Sequence, residues 1–516
     1  MIYHSPLPPV PLTGQTITER VLESLAGRPD AVIMVDGPTG RELTAQALAL
    51  GIARLAGGLV ARGMTPGEVT AILAPNMPEY AIAYHGSLYA GGTVTTINPA
   101  YTAAEIHHQL VDSGATRLIT TPELVAMGRT AITGTAVTGI AVIGARAGDG
   151  SDAPPLSDWM GDPLPAQVPV DVTDHVAVLP YSSGTTGLPK GVMLTHRNLV
   201  VNIDQCQPGM AVQPGDWTVA FLPFFHVYGL ALLMNLHLVY GARLVTMPRF
   251  DLALFLRLCQ DYRVRQISVA PPVALVLAKH PMVADFDLSA LRRVMSAAAP
   301  LGGDVAAAIA DRLGLEVFQG YGMTELTTGS HVCLPGQARA GTCGITVPNT
   351  ECRIVDPETG LDAPLGELWV RGPHVMKGYH GNPKATAATI TPDGWLRTGD
   401  LGSFDADGYL TLHDRLKELI KVKGFQVAPA EVEAALLTHP DIADAAVIGR
   451  PDQDAGEVPV AFVVRQPGST VDTAAIMAHL AMLLATYKRP ATIRFVEAIP
   501  KSPSGKILRR LLRDGA

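Results

Sequence analysis

Between residues 43 and 121 the chain alternates in a way that leaves few folds open. Residues 43–62 space their alanines and leucines as a helix does, and residues 69–73 (VTAIL) make a β-branched run. Helical spacing returns over 80–90, and a strand pattern over 93–98. Short apolar strands alternating with helices predict a mostly parallel sheet covered on both faces. Residues 148–170, rich in Gly, Pro, Asp and Ser, predict a loop between two such subdomains, and the alternation resumes from 176 to 321. Over 343–412 short strands are separated by DPETG, RGPH, TPDG and DADG turns, which predicts a small antiparallel barrel or sheet. After Asp414 come a helix from Ala430, strands near Ala445 and Ala461, and a helix after Val471. The expected fold class is α/β. A large N-terminal domain over 1–413 holds two mostly parallel α/β subdomains and a small β-barrel, and a small α+β domain over 414–516 follows it.

The chemistry of the surface narrows the function. With 516 residues, 47% hydrophobic and 17% charged, the chain can bury large cores. A formal charge of −8 without a basic block argues against nucleic acid as a partner, because phosphate backbones need clustered Lys and Arg. Mean hydropathy is +0.23, yet the most apolar stretch, 227–244, is broken by Gly229, Asn235, His237 and Gly241. It predicts a buried core segment, not a membrane span of ~20 apolar residues. The opening MIYHSPLPPVPL predicts an extended arm, not a signal peptide, and the closing Asp-Gly-Ala is no peroxisomal address. Five cysteines (Cys206, Cys259, Cys333, Cys343, Cys352) without a CxxC pair predict buried thiols in a reducing, cytoplasmic compartment.

The most informative segment is LPYSSGTTGLPKGV over 179–192. A strand ends near Tyr181, and Ser182, Ser183, Gly184, Thr185 and Thr186 follow, with Lys190 closing the loop. Glycines let backbone N–H groups approach a polyanion, hydroxyls donate to its oxygens and a lysine neutralises it. The GxxxxGK[ST] spacing of a Walker loop is absent. Asp400 follows a Thr-Gly turn, where a carboxylate can accept both hydroxyls of a ribose or simply cap the turn. Lys506 sits in a Ser-Gly-Lys turn before ILRRLLR, and Ser504 as N-cap would place it in the first turn of a helix. A cation is poorly matched to that end of the helix dipole, which points to an arriving anion; alone, the segment would read as a solvated basic tail. Lys421 and Lys423 in IKVKG could equally be lysines that block an edge strand.

Together with FFHVYG (224–229), SAAAPL (296–301), QGYGMTE (319–325), GWLRTGD (394–400), DRLKELIKVKGFQVAP (414–429) and PKSPSGKILRR (500–510), the loop resembles the adenylate-forming superfamily. Over nearly the whole chain the resemblance is strongest to 4-coumarate–CoA ligases. It implies an AMP-forming acid–CoA ligase that uses ATP, Mg²⁺ and CoA, with a mobile C-terminal domain. By the same resemblance Asp400 and Arg415 hold the ribose, Gln319, Gly320 and Tyr321 frame the adenine against Ala298 and Pro300, and Thr324 meets the AMP phosphate. Glu325 is the implied magnesium ligand. Lys506 bridges the carboxylate and the α-phosphate, which is electrostatic and positional catalysis. Lys417 is the implied hinge, Lys421 and Gln426 face the adenylate in a second orientation, and Lys423, Gly424 and Arg249 meet CoA. His226 lies between the acid and nucleotide pockets.

Phe225, Tyr228, Leu232, Ala297, Gly320 and Thr328 are the implied acid pocket. No aspartate stands in FFHVYG to pair with a substrate ammonium, so amino acids are disfavoured. A hydroxycinnamate such as 4-coumarate is the first expectation. Other aryl acids, medium-chain fatty acids, a carrier-protein acceptor and a catalytically silent nucleotide-binding protein are the alternatives. Residues 326–329 (LTTG) depart from the plant ligases' pattern in part of the pocket. Either a monomer or a homodimer is compatible with the sequence.

Overall fold

The computed structural model describes residues 1–144, 153–182, 189–423, 425–452, 455–502 and 505–514. It shows a mixed α/β protein with a large N-terminal and a small C-terminal domain. A seven-stranded sheet runs in the order Gly378–Tyr379, Lys190–Thr195, Val176–Ser182, Thr93–Ile97, Val69–Leu73, Ala115–Thr120, Gly139–Val142. Its central pairs are parallel; Lys190–Thr195 runs antiparallel to both neighbours. Every residue of Val69–Leu73 and Thr93–Ile97 is buried, which is why these strands read as unbroken apolar runs rather than alternating ones. The expected helix over 43–62 begins at Ala45, because residues Glu42–Thr44 pair with Val32–Asp36 and the Thr44 hydroxyl caps Ala47 N.

A second group of strands belongs to the same large core. Trp217–Ala220, Arg243–Thr246, Val32–Asp36 and Glu42–Thr44 form one sheet. Gln266–Val269, Arg293–Ser296 and Glu316–Gln319 form a parallel sheet of three. The apolar stretch over 227–244 is the buried core segment its composition predicts: a π-helix Tyr228–Asn235, a short helix Leu236–Val239 and the strand from Arg243. No helix among the described residues is long and apolar enough to cross a membrane.

The turn-rich region folds as an antiparallel sheet of five strands. Tyr3–His4 pairs with Glu351–Val355, followed by Gly366–Arg371, Leu396–Phe404 and Leu410–Arg415. The extended N-terminal arm is therefore the edge strand, pinned by Tyr3 stacked on Phe404 (4.1 Å) and by Val10 and Asn349 exchanging hydrogen bonds. A separate apolar core begins at Ile420 and includes Val432, Leu436, Val447, Ala461, Ile476 and Leu480. It forms between a sheet of five strands and the helices Pro429–Leu437 and Thr473–Leu483. The strand Leu410–Arg415 runs past residue 413 and stays in the large domain, so the chain passes between the cores over residues 416–419.

Among the histidines buried within the described residues are His85, His196, His237, His331 and His374. Burial holds His237 near about 4 and the other four near about 3. The unfolded chain titrates near about 6.5 and so binds more protons between those values, which makes stability complete above that pH and lost as pH falls. Each histidine contributes at most about 1.4 kcal/mol per pH unit of that loss. The thermal midpoint is expected to drop steeply from pH 6.5 to 4 in a melting series; a flat profile would show that these imidazoles are protonated in the folded state.

Candidate active site

Loops leaving the carboxyl ends of parallel strands are where open α/β sheets bind ligands, and the sequence motifs converge there. Glu316–Gln319 ends at Gln319, whose side-chain oxygen accepts from Leu301 N (2.7 Å) and ties down the Ser-Ala-Ala-Ala-Pro loop. Ala298 in that loop has φ +77°, a left-handed conformation that a non-glycine residue adopts under constraint. Two residues beyond Gln319, the Tyr321 hydroxyl donates to Asp400 Oδ2 (2.5 Å). Asp400 and Arg415 face each other across Leu396–Phe404 and Leu410–Arg415, with Nε 3.3 Å from Oδ1. Asp400 is 7% exposed. Burial raises its pKa, and Arg415 and Tyr321 oppose the rise by stabilising the anion.

Lys506 reaches the same place from the C-terminal domain. Burial, then the nearby Arg415 charge, pushes its ammonium down to about 8, while Glu418 and Asp400 pull the other way. The expected helical first turn is corrected: the helix is Arg509–Asp514, and Ser504 lies outside the described residues. Lys506 stands instead in a tight loop, with Lys506 N donating to Ser502 Oγ (3.1 Å), Ser502 N to Lys506 O (2.8 Å), and a bridge from Lys501 to Ile507. Those local bonds satisfy the backbone groups a helix would otherwise use.

On the phosphate side, Ser182 Oγ (3.0 Å) and Tyr379 OH (2.8 Å) both donate to Glu325 Oε1. Lys190 Nζ lies 4.9 Å from the centre of the Tyr379 ring. Thr324 is buried beside Glu325. Ser183, Gly184, Thr185 and Thr186 lie outside the described residues. Tyr379, which links Lys190 to Glu325, was missed in the sequence because its neighbours Gly378 and His380 carry no distinctive chemistry. Glu325 is 6% exposed, and among the described residues its side chain accepts from the Ser182 and Tyr379 hydroxyls; a buried carboxylate held this way fits a magnesium ion.

Beside this cluster lies a mostly apolar cavity. Tyr228, Leu232, Ala297, Ala298, Gly320 and Thr328 line it. So do Cys206, Met210, Met295, Met323 and Val332, which are ordinary core residues in the sequence and become lining only through long-range packing. Phe225 lines a second, smaller space with Thr96, Asn98 and Tyr181, and His226 borders both. Burial, then Lys506, holds the His226 imidazole neutral with a pKa near about 4. The preceding turn is clamped by Asn76, whose amide donates to the Ala220 and Leu222 carbonyls and accepts from Phe224 N (2.8 Å). A side chain at Gly229 would collide with the Pro223 and Leu222 carbonyls, so the last glycine of FFHVYG is a packing requirement. Thr327, in the atypical LTTG segment, sits at φ +63° and donates to His374 O (2.7 Å).

The second set of expected residues stands elsewhere. Lys421 and Gln426 face each other on the hairpin Ile420–Val422 and Phe425–Val427, both exposed. Lys423 occupies its turn at φ +50°, Lys417 is exposed in the turn between the cores, and Arg249 is exposed after Arg243–Thr246. Gly424 lies outside the described residues. The structure therefore brings Lys506, but not the exposed hairpin residues, into the electrostatic neighbourhood of Asp400 and Arg415.

Comparison with known proteins identifies the class of enzyme to which this constellation belongs. The family described as AMP-binding enzyme matches residues 21–380, and its C-terminal domain matches 431–506. The chain belongs to the AMP-binding enzyme family. It is 41% identical to 4-coumarate–CoA ligase 5 of Oryza sativa subsp. japonica, covering 99% of this chain and 97% of that one. It is also 41% identical to 4-coumarate–CoA ligase 2 of Petroselinum crispum, covering 99% and 96%. A crystal structure of an anthranilate–CoA ligase with anthranoyl-AMP superposes with a TM-score of 0.91 at 27% identity, over 98% of each chain.

Two glycines of the cavity differ in what they tolerate. A Cβ on Gly322 would land on the Thr328 carbonyl, which is backbone and cannot yield; on Gly320 it would meet Met295 Cε at 2.9 Å, the end of a flexible side chain. Gly322→Ala is expected to cost about 1–3 kcal/mol or more, read by denaturant titration, and Gly320→Ala less. Equal losses would mean that the 327–329 segment moves freely.

Proposed function

We propose that this protein is an ATP-dependent acid–CoA ligase that activates 4-coumarate or a related hydroxycinnamate. The observation that carries the reading is the meeting of Lys506 with the Asp400–Arg415–Tyr321 cluster beside an apolar cavity. Its mostly apolar lining suits a small aromatic acid. No carboxylate is among the described lining residues, so a substrate ammonium would be desolvated without a partner. The relatives named as 4-coumarate–CoA ligases support the same substrate class.

In this reading Asp400 accepts the ribose hydroxyls, with Arg415 beside it. Gln319, Gly320, Tyr321 and Ala298 frame the adenine, and Ser182, Lys190 and Thr324 face the phosphates. A substrate carboxylate oxygen attacks the α-phosphorus, the bond to the β-phosphate oxygen breaks, and pyrophosphate leaves. Lys506 compensates the charge building on the transferring group, a contribution of about 10²–10³ in rate for a preorganised donor. Magnesium on Glu325 would neutralise phosphate charge. In the second half-reaction the CoA thiolate attacks the acyl carbon and AMP leaves. Lys417 serves as the hinge that exchanges Lys506 for Lys421, Lys423, Gly424 and Gln426, with Arg249 toward CoA. The five free, buried cysteines support a reducing, cytoplasmic location.

Acid-dependent pyrophosphate exchange on cinnamates, benzoates and C6–C12 fatty acids tests the class. Exchange with cinnamates, and thioester on adding CoA, is expected; exchange with fatty acids alone would move the substrate, and none with any acid would leave a silent nucleotide binder. Lys506→Ala is expected to lower exchange at least about 100-fold while thioester formation from supplied acyl-adenylate persists. Because Lys506 is cationic below its pKa of about 8, exchange should decline as pH rises through that value. Gly424→Leu should show the converse, with exchange intact and the CoA step blocked.

A further inference from the structure

Three residues after Lys506, the Arg509 guanidinium is almost wholly enclosed, with 11% of its side chain exposed. Its Nη1 donates to Glu418 Oε2 (2.9 Å), its Nη2 to both oxygens of Glu433 (2.7 and 2.8 Å), and its Nε to Val447 O (3.1 Å). Glu418 lies in the turn 416–419 between the two cores, Glu433 on the helix Pro429–Leu437, and Val447 on Ile442–Asp452. One side chain thus joins the end of the chain to the linking turn and to two elements of the small core. We propose that Arg509 is a positioning residue for adenylation: by pairing with Glu418 and Glu433 it fixes the Lys506 loop to the turn that follows Arg415. The proposal rests on the reading of Lys506 as the adenylation lysine.

The surrounding charges explain why a fork is needed. Arg415, Lys506 and Arg509 bring three cations into one poorly solvated region, and Glu418 acts on all three. Asp414, which accepts from Arg415 N (2.7 Å) and Ala430 N (3.0 Å), also lies within the field of Arg509. Among the described residues no carboxylate lies within ion-pair distance of the Lys506 ammonium, so its loop must be held by something else. A planar guanidinium with fixed donor directions can hold two carboxylates and a carbonyl at once, which a lysine ammonium on a flexible stem cannot do in the same geometry. Burial pushes Glu433 toward its neutral form and Arg509 opposes that, so the cluster stays charged only while the guanidinium is in place.

The test uses the full chain with four variants: Arg509→Lys, Glu418→Gln, Lys506→Ala and the double Lys506→Ala/Arg509→Lys. Arg509→Lys and Glu418→Gln are each expected to lower the kcat of pyrophosphate exchange about 10- to 100-fold with little change in the KM for ATP, the scale of a misplaced catalytic group. Thioester formation from supplied acyl-adenylate should stay within about twofold of the parent. The double variant should exchange no more slowly than Lys506→Ala alone, because Arg509 acts only through the lysine. Equal loss of both half-reactions, or undiminished exchange in Arg509→Lys and Glu418→Gln while Lys506→Ala abolishes it, would overturn the positioning role alone. Full exchange in Lys506→Ala would overturn the lysine's role and this proposal with it.

Discussion

A single buried carboxylate organises the site. Asp400 is placed between a tyrosine hydroxyl and an arginine, and each comes from a different part of the molecule. Tyr321 follows the last strand of the parallel three-stranded sheet, Asp400 belongs to the antiparallel sheet, and Arg415 is the last residue before the chain crosses to the small core. A buried carboxylate without partners would neutralise itself by taking up a proton. The charge is kept only while all three pieces are assembled, so packing of the large domain and integrity of this cluster are one requirement.

The same constraint governs Lys506. A cation in that region faces desolvation and the fields of Arg415 and Arg509, while Glu418 and Asp400 work in its favour. The C-terminal domain therefore brings its own acid, Glu418, to the place where it brings its lysine. Arg509 ties the two together, which makes the small domain an electrostatic unit as well as a separate apolar core. The exposed hairpin carrying Lys421, Lys423 and Gln426 stands outside this unit.

The apolar cavity follows different physics. Its walls are the π-helix from Tyr228, the constrained Ala298 loop and the Thr327–Gly329 segment, each held by backbone contacts that leave little slack. Gly229 and Gly322 are required where a Cβ would strike a carbonyl. Strained backbone of this kind collects where function fixes a shape. Sulfur-bearing Cys206, Met210, Met295 and Met323 complete a lining that is apolar and polarisable.

Local periodicity in the sequence sufficed for the elements: the buried strand Val69–Leu73 and the helix Pro429–Leu437 appear where apolar spacing put them, because short-range pattern alone sets their form. Motif chemistry likewise identified Asp400, Arg415, Tyr321, Glu325 and Lys506 as residues worth following. It could not show that Lys506 precedes its helix, since the competing bonds come from Ser502 and the Lys501–Ile507 bridge. Nor could it find Asn76, Tyr379 or Arg509, whose side-chain hydrogen-bond partners lie between 54 and 148 positions away in the chain. Which apolar residues become core and which become cavity wall was decided only by tertiary packing, because a buried methionine has the same pattern in either place.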